Sequence, residues 1–183
     1  GPVVIPEKLV VHDYGNELTI SWRWFSPAGL ILIPFCVAWN AFLVGWYTIA
    51  LSSDGPPGGF AIIMMLFPIV HVAVGLALLY ACAVNLCNST KVRVREGRLT
   101  LKHGPIPAGK TQDVSVDEID QLYVKSGLNK KASSGNSMMN HTLHVRTKSG
   151  REIALLPNNT DADIARAVEH LVEKHLGIKD KPV

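Results

Sequence analysis

Two long uncharged apolar stretches in the first half of the chain constrain its fold more than any other feature. No Lys, Arg, Asp or Glu occurs from Trp24 to Ser53, or again from Gly55 to Thr90. The apolar runs at 28–51 and 60–87 each exceed the ~20 residues that a helix needs to cross a bilayer. Neither run carries the polar stripe of a helix in a soluble bundle. We therefore predict two transmembrane helices.

The first run could instead be a secretory signal peptide, but it lacks the basic leader, the shorter apolar core and the small-residue cleavage site of such a peptide. Pro34 and Pro68 lie inside the predicted spans. We expect a kink at each, because proline has no N–H to donate to the preceding turn and a membrane helix tolerates that loss when neighbours satisfy the carbonyl.

Basic residues near the ends of the spans predict their orientation. The connector "SSDGPPGG" contains Asp54 but no Lys or Arg. The segment after the second span carries five basic residues: Lys91, Arg93, Arg95, Arg98 and Lys102. Positive flanks remain in the cytoplasm, so both termini are predicted to be cytoplasmic. The aromatic residues expected at the two aqueous boundaries are Trp22, Trp24, Trp46 and Tyr47, whereas Trp39 lies deeper and is expected to be a packing residue.

After Thr90 the hydrophobic period changes to two. "KVRVRE" and "RLTLKH" alternate about the turn "EG", which predicts a hairpin. Further strands are predicted at Gln112–Val116, Gln121–Lys125, His141–Thr147 and Arg151–Leu156, with a loop over 127–140. The last segment predicts a helix that Thr160 caps and Gly177 ends. One face of that helix is apolar and requires a sheet to cover it.

The N-terminal residues predict a second hairpin. "LVVHDYGNELTISW" turns at Gly15 and Asn16, and its "GNELTIS" is similar in spacing to "EGRLTLK". If the two hairpins lie side by side, the spans are an insertion within one β domain. The predicted organisation is an N-terminal hairpin over 1–27 that joins the soluble domain, a helical hairpin over 28–88 and a cytoplasmic domain over 89–183.

Two closely spaced spans are followed by "TKVRVREGRLTLKHGPIP", "VSVDEIDQLYV", "TKSGREIALL" and a final helix that closes in "HLGIKD". In this pattern the chain resembles the bacterial pleckstrin-homology-like membrane proteins. The resemblance implies a membrane α + β fold, in which a transmembrane hairpin carries a cytoplasmic barrel-like sheet capped by a C-terminal helix. It also implies the bacterial inner membrane as the location. Most members of that family have no assigned activity, so the resemblance predicts fold and topology rather than function.

Inside the predicted spans, the polar candidates are Asn40 and His71. An antiparallel hairpin brings them to similar depth, and a hydrogen bond between them would reduce the cost of burying each in hydrocarbon. An intramembrane histidine could also hold a ligand or carry a proton, although no acidic residue accompanies His71. Small residues four apart would let a helix approach closely, either within the hairpin or from a partner. They are Ala41, Gly45, Ala73, Ala77 and Ala81.

The remaining chemistry-bearing residues predict neither catalysis nor a cofactor. Cys36, Cys82 and Cys87 are interpreted as apolar fillers, and no metal site is predicted. The sequence lacks a nucleophile elbow, a phosphate loop and a dinucleotide fingerprint, and its charge of +3 is too small to favour nucleic acid. We predict a non-catalytic interaction module, an accessory or scaffold subunit of a larger membrane complex. The alternatives are anionic-lipid binding by the five basic residues and a cofactor or proton role of His71.

Overall fold

The computed structural model describes residues 4–27, 29–52, 58–128, 139–156 and 160–178. Over these residues the chain combines two antiparallel sheets with helices, which confirms the α + β class. Most of the predicted loop over 127–140 lies outside the described residues. The elements are β1 (Val10–Asp13), β2 (Glu17–Arg23), α1 (Gly29–Ala50), α2 (Gly59–Leu66), α3 (Ile69–Cys87), β3 (Ser89–Arg95), β4 (Arg98–Gly104), β5 (Gln112–Ser115), a 3-10 turn (Val116–Glu118), β6 (Ile119–Leu128), β7 (Met139–Thr147), β8 (Glu152–Ala154) and α4 (Ala162–Leu176).

The two predicted hairpins are confirmed and lie side by side. β1 pairs with β2 across Gly15, and β3 pairs with β4 across Glu96 and Gly97. Both residues of the second turn have positive φ, which matches the right-handed twist of the strands that they join. β2 then pairs with β3 in antiparallel register, from Glu17 opposite Arg95 to Arg23 opposite Ser89. The strands that flank the apolar helices are therefore neighbours in one sheet, ordered β1-β2-β3-β4-β5.

β6, β7 and β8 form the second sheet, and α4 follows them. The predicted cap of α4 is wrong by one residue. Thr160 forms a β-bridge with His141, so the helix begins later and the side chain of Asp161 accepts a hydrogen bond from the Asp163 N–H at 3.1 Å. The predicted end is confirmed, because Gly177 adopts the left-handed conformation that closes many helices.

Alternate residues of the strands face one core that both sheets and α4 share. On β3, Val92 and Val94 are buried while the basic residues between them are exposed. Trp22, which we expected at a membrane boundary, belongs to this core and is only 8% exposed. The expectation is wrong because β2 continues to Arg23, so Trp22 points inward on the same face of the strand as Leu18 and Ile20.

Trp24–Asn88 forms a compact unit of its own. Two helical stretches among the described residues, Gly29–Ala50 and Gly59–Cys87, are long and apolar enough to cross a bilayer. α1 continues through Pro34, whereas Pro68 separates α2 from α3 within the second stretch. Only 11% of the most apolar part of each stretch is buried. The large apolar side chains of these helices therefore point away from the protein.

A buried carboxylate completes the edge of the second sheet. β6 has a neighbouring strand on one side only, and the N–H of Leu122 donates to Oε1 of Glu173 at 3.2 Å. Glu173 is buried in α4, so it supplies the acceptor that a further strand would otherwise provide.

We predict that Glu173→Leu lowers the free energy of unfolding of the β domain by about 1–3 kcal/mol, because a buried N–H loses its acceptor. Glu173→Gln keeps an oxygen that can accept the bond and should cost less. Denaturant unfolding and hydrogen exchange of the Leu122 amide measure the two effects. Unchanged protection of that amide in Glu173→Leu would contradict the assignment.

Candidate functional site

The structure brings the five basic candidates together on the outward face of the first sheet. In the β3–β4 register Lys91 lies opposite Lys102, and Arg95 lies opposite Arg98. Arg93 follows the same face of β3, two residues from each of its neighbours on that strand. All five side chains are exposed. Strand alternation thus converts a run of basic residues in the sequence into one basic surface, which we call the basic face.

Carboxylates neutralise the arginines of the basic face. Nε of Arg93 lies 3.1 Å from Glu17, and Nε of Arg95 lies 3.8 Å from the same carboxylate. Arg95 also contacts Glu96 at 2.9 Å, and Arg98 contacts Asp113 at 2.8 Å. The hydrogen-bonded Asp113 carboxylate raises the pKa of Arg98 above its usual value. Neither Glu17 nor Asp113 was predicted as part of this surface, although the predicted pairing of the two hairpins was the signal that placed Glu17 beside β3.

The two lysines of the basic face form no ion pair with any described residue. Lys91 and Lys102 are directly opposite each other across β3 and β4. Like charges in that arrangement destabilise a sheet. The positive charge that carboxylates leave uncompensated is therefore concentrated at Lys91 and Lys102, toward the Ser89 end of β3. Lys91 lies four residues after α3 ends at Cys87.

The structure does not bring Asn40 and His71 together as we expected. The Asn40 amide donates to the Cys36 carbonyl at 2.9 Å and to the Gly75 carbonyl at 3.4 Å. Gly75 lies one turn beyond His71 and has no side chain, so Asn40 packs directly on its backbone. Depth along the predicted spans located the partner of Asn40 only to within about one turn of helix, or roughly 5 Å, and that difference changed the partner.

Two aromatic rings, those of Trp39 and Phe67, flank the imidazole of His71. The Trp39 ring stacks on it at 5.6 Å between centroids, and the Phe67 ring lies at 5.8 Å. The Trp39 indole N–H also donates to the backbone carbonyl of His71 at 3.0 Å. Nδ1 of His71 is buried and has no hydrogen-bond partner among the described residues.

The carbonyls around the Pro68 break receive donors from α1. Pro68 lacks the N–H that would bond to the Met64 carbonyl. The Trp46 indole N–H donates to that carbonyl at 2.9 Å, and the Tyr47 hydroxyl donates to the Met65 carbonyl at 3.1 Å. We expected Trp46 and Tyr47 at an aqueous boundary. Both donors bond within the hairpin, and the Met64 carbonyl is the one that the proline leaves without its helical N–H. The boundary position of the two residues stays a prediction.

The small-residue candidates lie outside the contact between α1 and α3. The buried residues of the two helices are Cys36, Leu43, Ala50, Gly75 and Val84. All five small-residue candidates are exposed: Ala41, Gly45, Ala73, Ala77 and Ala81. Of the two alternatives that the sequence left open, packing of these faces on each other is wrong.

The remaining histidines are dispersed through the β domain. Burial lowers the pKa of His103, whose Nδ1 lies 2.9 Å from the Thr90 hydroxyl, and burial also lowers the pKa of His144. His141 Nδ1 lies 2.9 Å from the Ser126 hydroxyl. Within the described part of the chain, no group of three or more His, Cys, Asp or Glu side chains has the arrangement of a metal site.

Comparison with protein families and with characterised proteins found no family model and no curated protein that matches this chain. The pleckstrin-homology-like assignment therefore stays a prediction.

We predict that Trp46→Phe destabilises the helical hairpin by about 0.6–2 kcal/mol, because the Met64 carbonyl loses its donor. In a Pro68→Ala background the restored N–H of residue 68 can satisfy that carbonyl, so the same substitution should cost less. Denaturing-detergent titration of the four variants gives the coupling energy between the two positions.

Phe35→Leu is the matched control, because Phe35 is an exposed aromatic residue of α1. Strictly additive effects of Trp46→Phe and Pro68→Ala would contradict the assigned hydrogen bond.

Proposed function

We propose that this chain is an integral membrane protein whose two-span hairpin carries a pleckstrin-homology-like β domain in the bacterial cytoplasm. In this proposal the domain is a non-catalytic interaction module, and the chain is an accessory or scaffold subunit of a larger membrane complex.

Exposure of the apolar helices is the observation that carries the membrane proposal. A core helix of a soluble protein is mostly buried, whereas only 11% of each apolar stretch is buried here. Exposed side chains include Ile31, Phe42, Ile62 and Val70. Monomeric soluble proteins rarely expose apolar surfaces of this extent. Hydrocarbon is the solvent in which such a surface is stable.

The β2–β3 ladder supports a topology with both termini on one side. Arg23 and Ser89 are cross-strand partners, so the helical segment leaves and re-enters the sheet at neighbouring points. A membrane segment with that constraint crosses an even number of times. The basic residues after α3 favour the cytoplasm for this side. Two antiparallel sheets followed by a closing helix agree with the fold that the family resemblance implies.

Two features favour a subunit role. The hairpin uses one side of each helix for its own contact, and the exposed small residues on α1 and α3 allow another helix to approach closely. The basic face presents ordered charges on a rigid sheet, as a protein-binding surface would.

We expect the chain to remain in the membrane pellet after an alkaline wash and to co-migrate with a larger assembly in gentle detergent. In a cysteine-free background, Ser52→Cys should react with an impermeant thiol reagent in intact cells. Lys110→Cys, on the β domain, should react only after the cytoplasmic membrane is permeabilised. Release by the alkaline wash, or the opposite labelling pattern, would contradict the membrane topology.

The lysine pair on the basic face favours anionic-lipid binding as a second candidate function. Lys91 and Lys102 remain without carboxylate partners among the described residues while their arginine neighbours are paired. A phosphate between the two ammonium groups would relieve their repulsion, and each basic residue near a membrane contributes ~1 kcal/mol to binding of anionic lipid.

We predict that the Lys91→Gln, Lys102→Gln double variant retains phosphatidylglycerol about 30-fold less well than the unmodified chain, from ~1 kcal/mol for each lysine. Native mass spectrometry of the full chain in detergent, with phosphatidylglycerol or phosphatidylcholine added, measures the retained lipid.

Arg98→Gln is the matched control, because Asp113 already compensates that charge. Equal losses in the two variants, or equal retention of both lipids by the unmodified chain, would contradict a lysine-specific site.

A further inference from the structure

We infer that His71 presents its Nε2–H, at the surface of the helical hairpin, to a hydrogen-bond acceptor on a membrane helix of the partner subunit. The inference rests on the proposed function and names the polar contact by which the hairpin holds its partner.

The two ring nitrogens of His71 have different environments. Nδ1 is buried and lacks a partner, whereas the residue as a whole keeps part of its surface exposed. A neutral imidazole carries one proton, on either nitrogen. A proton on Nδ1 would be a buried donor with no acceptor among the described residues. The Nε2–H tautomer avoids that unpartnered buried donor, and Nε2 is not among the buried atoms without a partner.

This tautomer favours a hydrogen-bond acceptor over a metal or tetrapyrrole as the occupant. A histidine that ligates a metal through Nε2 has its proton on Nδ1 and almost always donates it to a carbonyl, carboxylate or water. Nδ1 of His71 has no such acceptor among the described residues. Asn40, which we expected to bond to His71, donates instead to the Cys36 and Gly75 carbonyls.

The surroundings of the ring require that the acceptor come from another helix. Trp39 and Phe67 flank the imidazole and hold its plane, so it cannot turn freely to a carbonyl of its own helix. The hydrocarbon around it offers no acceptor. Val74, about one turn along α3 on the same face as His71, is 39% exposed. A donor such as His71 Nε2–H within an apolar exposed surface is complementary to a membrane helix that carries one Ser, Thr, Asn or Gln acceptor.

Three variants of the full chain, purified with its complex from native membranes, separate the effect of the hydrogen-bond donor from the effect of the aromatic ring. His71→Phe keeps the aromatic contacts and removes the donor, whereas His71→Gln places an amide N–H near the position of Nε2–H. We expect His71→Phe to weaken association with the complex about 3- to 30-fold and His71→Gln to retain most of it. Ile62→Ala, an exposed apolar residue of α2, is the control and should leave association unchanged.

Photocrosslinking from position 74 identifies the occupant. A photoreactive residue in place of Val74 should capture a peptide from an apolar span of another protein, with an acceptor side chain in that peptide. Capture of lipid alone or of a second copy of this chain would overturn the inference. So would equal association of His71→Phe and the unmodified chain, or a bound metal or pigment lost with His71→Phe. Absence of any complex with the unmodified chain would instead overturn the proposed function.

Discussion

The antiparallel ladder between β2 and β3 is the interaction on which the rest of the structure depends. It joins residues 17–23 to residues 89–95 across the whole helical segment, in unbroken register. Because cross-strand partners have Cα atoms only about 5 Å apart, the segment that begins after Arg23 must return to the same place. The Trp24 N–H also donates to the Asn88 carbonyl at 2.9 Å, which closes the base of the hairpin. Strand pairing alone therefore brings the two ends of the helical segment, at Arg23 and Ser89, to neighbouring positions.

Within the hairpin, backbone carbonyls determine where the aromatic residues of α1 point. Trp39, Trp46 and Tyr47 each donate a side-chain hydrogen to a carbonyl of α2 or α3. In lipid the hydrophobic effect does not draw one apolar helix toward another, so association depends on packing and on bonds of this kind. Pro68 leaves the Met64 carbonyl without its helical donor, and the Trp46 indole supplies one. The break at Pro68 and the Trp46 indole are therefore linked through the Met64 carbonyl.

The sequence predicted the features that depend on local pattern. Spans, hairpins and the closing helix follow from run length, period and turn residues, and these were confirmed as helices and strands. It failed where a residue's role depends on a distant partner. Trp22 was assigned to a membrane boundary because it lies shortly before the first predicted span in the sequence. Its burial depends on the pairing of β2 with β3, which places alternate residues of β2 in the core. Asn40 was assigned to His71 on depth, and depth does not resolve one turn of helix.

Charge pairing on the basic face distinguishes two explanations for its residues. Orientation across a membrane requires only that basic residues follow the second span. Whether carboxylates neutralise those residues has little effect on orientation. The observed pattern is not uniform, because Glu17 and Asp113 compensate the arginines. Lys91 and Lys102 instead face each other without a carboxylate from the described residues. They lie at the end of the sheet that the chain reaches first after α3. A repulsive pair opposes sheet formation unless an anion offsets it. In the proposed topology, orientation explains why basic residues follow α3, and the proposed lipid site would explain why the two lysines lack carboxylate partners among the described residues.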